Sequence, residues 1–238
     1  MQTVRLESLR LKPGAWVLDL GCGAGRHLHA LYYSTRTNGV GVDLGFEDVV
    51  RTRQGFEAAP DMDAGSGRWF GLSVADARTL PFADERFDAI ICSEVLEHIH
   101  DYKIVLGECL RLLKPGGQLA ISVPRFFPEW LCWKLAPGYH QTPGGHVQIF
   151  KDVELRKVIE DQGFLFMRRH WAHGLHSPYW WLQCLVWPTR DSNWLVAQYR
   201  RFLEWDILKQ PRLTRWMAAA ADPLMGKSVV LYFVKAAR

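Results

Sequence analysis

An apolar run, Trp16–Leu20, breaks directly into glycines spaced two apart in "VLDLGCGAGRH" (Val17 to His27). This junction constrains the fold more than any other feature of the chain. A buried strand ending in glycines lets the backbone approach a ligand that any Cβ would hold off, and glycine accepts positive φ without strain. The strand also carries an acid, Asp19. Taken alone, the turn fits a dinucleotide, a flavin, a phosphate or a sulfonium nucleoside.

The rest of the chain repeats the strand-to-helix pattern. Strands are expected at Trp16–Leu20, Gly39–Asp43, Trp69–Val74, Phe87–Ser93, Gln118–Pro124, Gly163–Trp171 and Ser228–Lys235. The unbroken apolar runs among them (DAIIC, VVLYFV) suit strands buried on both faces. Helical periodicity falls at Gly25–Tyr33, at Asp101–Leu113 (stopped by Lys114-Pro115-Gly116-Gly117) and at Lys151–Gln162. The expected fold is α/β: a Rossmann-like, mostly parallel sheet covered by helices, in a single domain over residues 1–238. Residues 172–226 form an aromatic-rich helical insert or lid before the last strand. The insert holds six of the eleven tryptophans, and Ser192–Leu208 within it reads as an amphipathic helix. Its expected apolar side carries Trp194, Leu195, Tyr199, Phe202 and Leu203.

Bulk properties narrow the function. With 48% hydrophobic and 23% charged residues the chain is an ordinary globular one. No run approaches the roughly 18–20 apolar residues of a membrane span. The N-terminal stretch lacks an apolar signal-peptide core. Five cysteines without a CxxC suit free thiols in a reducing cytoplasm. Residues 151–238 carry fourteen Lys/Arg against eight Asp/Glu, a net +6 within a total of +4. That is too sparse for a nucleic-acid surface but compatible with an anionic lipid surface or acceptor.

The cofactor choice rests on the glycine spacing and the acids. A dinucleotide turn is G-x-G-x-x-G; here it is G-x-G-x-G, one residue tighter. Asp43 ends the second strand, placed to grip ribose hydroxyls, and Asp76 follows the third in "SVADARTLPF", placed for an adenine amine. Acids at successive strand ends without basic phosphate ligands suit a nucleoside with a cationic amino-acid tail.

In order, VLDLGCGAGRH, GVDL, ADARTLPF, FDAIICSEVLEHI and RLLKPGGQLAISVP resemble the class I S-adenosylmethionine-dependent methyltransferases, especially their ubiquinone/menaquinone-biosynthesis-type (type 11) subgroup. The resemblance covers about Leu11 to Phe166. It implies a seven-stranded sheet with an antiparallel last strand and S-adenosylmethionine as cofactor. By it, Asp19, Gly21, Gly23 and Gly25 line the methionine end, and Asp43 holds the ribose with Leu44 on the adenine. Asp76 and Ala77 meet the adenine edge, and Cys92 and Ser93 the methionine side. The fourth strand runs into Cys-Ser-Glu-Val rather than the Asn/Asp-Pro-Pro-Tyr/Phe of amine-methylating nucleic-acid enzymes, so nucleic acid is not the expected substrate.

Methyl transfer from a sulfonium needs alignment and water exclusion, and a base only when the nucleophile must lose a proton. His146 in "GGHVQIF" and His98, one helical turn after Glu94, are the candidate catalytic histidines. His140, His176, Tyr179 and Trp180 are candidates for the acceptor side. His170, His173 and His176 are interrupted by Gly174 and Pro178, so no metal is expected there. The expected function is O- or C-methylation of a small hydrophobic or amphipathic acceptor. Two alternatives stay open: a membrane-surface enzyme for a lipid-linked acceptor, and a catalytically idle cofactor-binding partner subunit.

Overall fold

The computed structural model describes residues 2–58, 68–142 and 144–237. Seven strands form one sheet: β1 (Trp16–Leu20), β2 (Asn38–Asp43), β3 (Phe70–Val74), β4 (Phe87–Ser93), β5 (Leu113–Pro124), β6 (Phe164–Ala172) and β7 (Ser228–Lys235). Their order across the sheet is β3-β2-β1-β4-β5-β7-β6. Strands β1 to β5 are parallel, whereas β7 inserts between β5 and β6 antiparallel to both. The expected sheet, with its last strand reversed, is the one observed.

Side-chain alternation sends the strands' apolar residues to two cores. Leu18, Leu20, Ile90 and Ile121 pack under the helices α3 (Tyr102–Leu112) and α6 (Asp152–Asp161), through Leu106 and Ile159. Val17, Ile91, Ala120 and Val230 face the other way, onto Val4, Leu6 and Leu31, the last from α1 (Arg26–Ser34). From β1 the chain steps outward to β2 and β3, then crosses back to β4 on the other side of β1. The crevice at their carboxyl ends is the switch point where open α/β sheets bind ligands.

Helix α2 (Phe46–Ala58) covers β2 and β3. Beyond β5 come α4 (Phe126–Leu135) and a single turn, α5 (Pro137–His140). The insert folds as α7 (Ser177–Leu185), α8 (Trp194–Lys209) and α9 (Arg212–Met225). Asn193 caps α8 by accepting from the Leu195 and Val196 N–H groups. The buried stripe of α8 is Val196 and Leu203 with Tyr199 and Phe202 alongside. Trp194 and Leu195 point outward, so the expected apolar side is rotated by part of a turn.

Two further expectations are corrected. Lys114-Pro115-Gly116-Gly117 ends α3, but it also belongs to β5, which starts at Leu113 because that residue pairs with Phe87 across a bulge. Glu94 and His98 do not share a helix: Glu94 adopts a left-handed backbone (φ 57°), and only Leu96–His98 forms one 3-10 turn.

Candidate active site

The glycine turn is built for close approach. Gly21, Gly23 and Gly25 all have positive φ (71°, 52° and 79°). A Cβ on Gly21 would strike the Val95 side chain, and one on Gly25 would meet Thr52 and His29, whereas Gly23 faces open space. Gly21 and Cys22 donate their N–H groups to the Val42 carbonyl, at 2.8 and 3.0 Å, tying the turn to β2. Beneath the turn Asp19 is buried, its Oδ2 accepting from the Leu28 N–H at 3.1 Å and its Oδ1 without a partner. Burial, only partly offset by that bond and by Arg26, raises its pKa to about 7. Cys22 is no nucleophile: burial and the charges of Asp19 and Asp43 push its thiol up to about 12.

Asp43 at the end of β2 bridges two backbone segments. Its Oδ2 accepts from Gly23 at 2.8 Å and its Oδ1 from Gly45 at 2.9 Å, leaving further lone pairs for hydroxyl donors. Leu44 beside it is 72% exposed, an apolar face with nothing packed on it. Asp76 and Ala77 line the same cleft, but the Asp76 carboxylate is already held by Arg78 at 2.6 Å. That hydrogen bonding keeps its pKa below the usual carboxylate range. The cleft encloses about 550 Å³, lined by Gly21, Gly23, Asp43, Leu44, Glu94 and Val95 among others. Asp19 and Gly25 support it from below and behind rather than lining it.

At the end of β4 the cleft is lined two positions beyond the expected pair. Cys92 is wholly buried in the core, and the Ser93 hydroxyl pairs with that of Ser122 at 2.8 Å. Ser122 in turn donates to Glu94 Oε1 at 2.8 Å, and the Glu94 N–H donates to the Ser122 carbonyl. The left-handed backbone at Glu94 thus turns Glu94 and Val95, rather than Cys92 and Ser93, into the cleft wall.

A second cavity of about 290 Å³ adjoins the first, and Glu94 and His98 belong to both walls. Its other lining residues include Glu97, His146, His173, His176, Trp180 and Lys227. The loop carrying His146 is stitched to the Leu96–His98 turn: Val147 donates to the Glu97 carbonyl, and the Gln148 amide donates to those of Leu96 and Ile99. The His98 and His146 rings consequently stand 5.1 Å apart, edge to face. His146 Nδ1 bonds Glu129 Oε1 at 2.6 Å, and His98 Nδ1 faces the Gly145 carbonyl at 3.3 Å. Burial pushes the pKa of Glu129 up, but the bond and charge of His146, with Lys227 and Trp133, outweigh it and leave it below the usual range. His98 is lowered by burial and by the neighbouring His146.

Sequence reasoning missed Glu97. It is 0% exposed, both its oxygens lack partners, and burial with the charge of Glu94 raises its pKa well above normal. Glu97, His98 and His146 each bring one ligand-type atom within 4.8 Å of the others. The adjacent Glu-His pair was the only local signal; the third member lies 48 residues on.

The remaining expectations divide. His176 and Trp180 line the second cavity, and His176 Nδ1 is buried without a partner. Tyr179 does not line it: it is 8% exposed in the core of the insert, its hydroxyl accepting from Gln183 and Arg200. His140 stacks on Trp133 at 4.2 Å and lines neither cavity. His170 stacks on Tyr232, whereas His173 bonds the Thr3 hydroxyl and meets the His176 ring edge to face at 5.5 Å.

The residues fit S-adenosylmethionine. A turn that leaves room for close approach at Gly23, spare lone pairs on Asp43 and an exposed Leu44 offer space, hydroxyl acceptors and an apolar shelf. The match to known proteins agrees. Residues 2–166 match the family model of the methyltransferase domain, and the chain belongs to that family, the S-adenosylmethionine-dependent methyltransferases. Over 116 residues, 49% of this chain and 44% of the relative, it is 38% identical to a demethylmenaquinone methyltransferase of Corynebacterium efficiens. A methyltransferase of Haloferax volcanii, solved in complex with the Trm112 methyltransferase activator, aligns over 69% of this chain and 67% of its own, with 25% identity and a TM-score of 0.57. A Bacillus halodurans methyltransferase structure aligns over 97% of this chain and 96% of its own at 19% identity and a TM-score of 0.63, a likeness of fold. The chain spans less than half the length of the curated relatives it matches first, 34% to 44%. No helix among the described residues is long and apolar enough to cross a membrane.

Proposed function

We propose that this chain methylates an oxygen or carbon of a small hydrophobic or amphipathic acceptor seated in the second cavity. The single observation behind this reading is the shared wall: Glu94 and His98 border both the cleft that suits the cofactor and the histidine-lined cavity. S-adenosylmethionine supplies an electrophilic methyl on a sulfonium. Gly21, Gly23 and Asp43 would hold and orient it, and Trp180 would cover an apolar acceptor. His146 activates an acceptor hydroxyl, its ring fixed through Nδ1 by the buried Glu129, much as a buried carboxylate orients a catalytic histidine. A purposeful arrangement of this kind favours turnover over the idle-subunit reading. The test is methyl transfer from S-adenosylmethionine across a panel of quinone, phenol and lipid-like acceptors. Binding of the cofactor without transfer to any of them, in wild-type protein, would return the idle reading to the front.

A second reading concerns where the acceptor is met. Trp194, Arg201, Trp205 and Leu208 recur along one face of α8, and Leu208 is 80% exposed. Leu213, Trp216 and Leu224 do the same on α9, beside Arg212 and Arg215, with Trp216 79% exposed. Aromatic and aliphatic side chains interleaved with arginines suit the surface of an anionic bilayer. Flotation with anionic vesicles, and its loss in Trp216→Ala/Leu208→Ala, would support that reading; a chain that stays with the soluble fraction removes it.

A further inference from the structure

We propose that the acceptor extends past the second cavity into a third, which binds a second, planar aromatic ring carrying an acidic substituent. The proposal rests on the methyltransferase reading above and names the class of acceptor it serves.

A cavity of about 250 Å³ adjoins the second one, and His146 and Trp180 stand in the walls of both. The cofactor cleft, the second cavity and this one thus run in series, with Glu94 and His98 between the first pair and His146 and Trp180 between the second. At about 290 Å³ the second cavity alone sits at the lower limit of small-molecule sites, which run from roughly 300 to 1,000 Å³. Joined to the third, it falls inside that range.

The walls of the third cavity suit a ring. Tyr139 comes from α5, Trp180 from α7 and Trp187 from the turn Trp187–Thr189, and all three are half-buried. Their rings meet at a corner: Tyr139 stands edge to face with Trp180 at 5.9 Å and with Trp187 at 6.0 Å. Rings also line the way back to the cofactor, from Tyr139 to His146 at 6.3 Å and from His146 to His98 at 5.1 Å. A planar ring in such a corner lies against one wall and edge-on to the other, both favoured arrangements of aromatic pairs. An alkyl chain would gain from the area of these walls but not from their angle.

Trp187 is held in place from two sides. Its indole Nε1 lies so close to Gly138 that a Cβ there would come within 2.7 Å, although alanine is the better residue for the helical turn that Gly138 occupies. The Arg190 guanidinium sits over the indole at 3.9 Å and donates to the Trp187 carbonyl at 2.7 Å. Arg190 also defines the far end of the cavity. Its neighbour Asp191 is exposed and 3.9 Å away, too far for a hydrogen bond. A fork of five donors with one given to a carbonyl keeps enough of them for a ligand carboxylate.

The test uses the whole chain, with and without S-adenosylhomocysteine, titrated calorimetrically with phenol, p-phenylphenol and p-phenylphenol carrying a carboxylate on its outer ring. The second ring should improve affinity by about tenfold, and the carboxylate by a further factor of about three. Trp187→Leu should remove the gain from the second ring and Arg190→Gln the gain from the carboxylate, while phenol and S-adenosylmethionine bind as in wild type. Gly138→Ala, which displaces the indole without removing it, should abolish part of the second-ring gain. Equal affinity for the three probes, or binding of none, in a chain that binds S-adenosylmethionine overturns the third site and leaves the methyltransferase reading standing. A second-ring preference indifferent to both Trp187→Leu and Gly138→Ala also overturns it. A preference lost in Trp187→Leu, in a chain that does not bind S-adenosylmethionine, would support the site and break the methyltransferase reading.

Discussion

The two cavities are made differently. The cofactor cleft is assembled from successive strand ends: Gly21 and Gly23 after β1, Asp43 and Leu44 after β2, Asp76 after β3 and Glu94 after β4. Each contributor stands at the end of a short, readable motif. The second cavity gathers Thr3, Glu97, His146, His176 and Lys227, which come from five separate stretches of chain. Nothing local announces that these will meet. The contrast says that the first cleft is a property of the sheet, and the second cavity a property of what is packed on it.

Mutation should pull the halves apart. The largest effect is expected from His146→Ala: turnover should fall by about 10²- to 10⁴-fold with cofactor affinity intact. An equal loss of cofactor affinity, measured by calorimetry, would mean that the two cavities are one unit. Next, Asp43→Ala should weaken S-adenosylmethionine binding by about 1.5–3 kcal/mol, the worth of charge-assisted hydrogen bonds, without altering the second cavity. Unchanged affinity would remove Asp43 from the cleft. Gly21→Ala should cost roughly 1–3 kcal/mol of stability, because it forces a positive φ and a contact with Val95. A melting temperature equal to wild type would show that Val95 yields freely.

A pH-dependent effect comes from Asp19. Its folded pKa is raised to about 7 against 3.8 for the free carboxyl. The unfolded chain therefore releases this proton first as pH rises, and the ionised group costs stability progressively between about pH 4 and 7. Asp19→Asn should accordingly raise the melting temperature of the cofactor-free protein at pH 8, by about 2–4 °C per kcal/mol recovered, with no gain near pH 4. The opposite holds for His27, lowered to about 3 by burial while it accepts from the Thr3 and Val4 N–H groups. Its contribution is present above pH 6.5 and is lost as pH falls below that value. The smallest effect is expected from Arg78→Ala. This pair with Asp76 is exposed and contributes little, and a large loss of cofactor affinity would show that Arg78 itself touches the ligand.

Legibility followed the same division. The strands Trp16–Leu20, Phe87–Ser93 and Ser228–Lys235 were readable from apolar runs, and the reversed last strand from the resemblance that those motifs carry. Cys92 and Ser93 fall two positions short of the cleft wall because a left-handed Glu94 cannot be seen in composition. Tyr179 looked like a pocket residue since its aromatic ring and hydroxyl suit one, yet Gln183 and Arg200 satisfy the hydroxyl inside the insert. His146 was readable only as a histidine in a familiar loop. Its partner Glu129 sits 17 residues earlier on another element, and no local pattern joins them.

The most direct measurement is calorimetric titration of the purified chain with S-adenosylmethionine, S-adenosylhomocysteine and NAD side by side. The account predicts binding of both adenosyl ligands, weakened in Asp43→Ala, and none of NAD. A folded chain that ignores the adenosyl ligands, or prefers NAD, would contradict it.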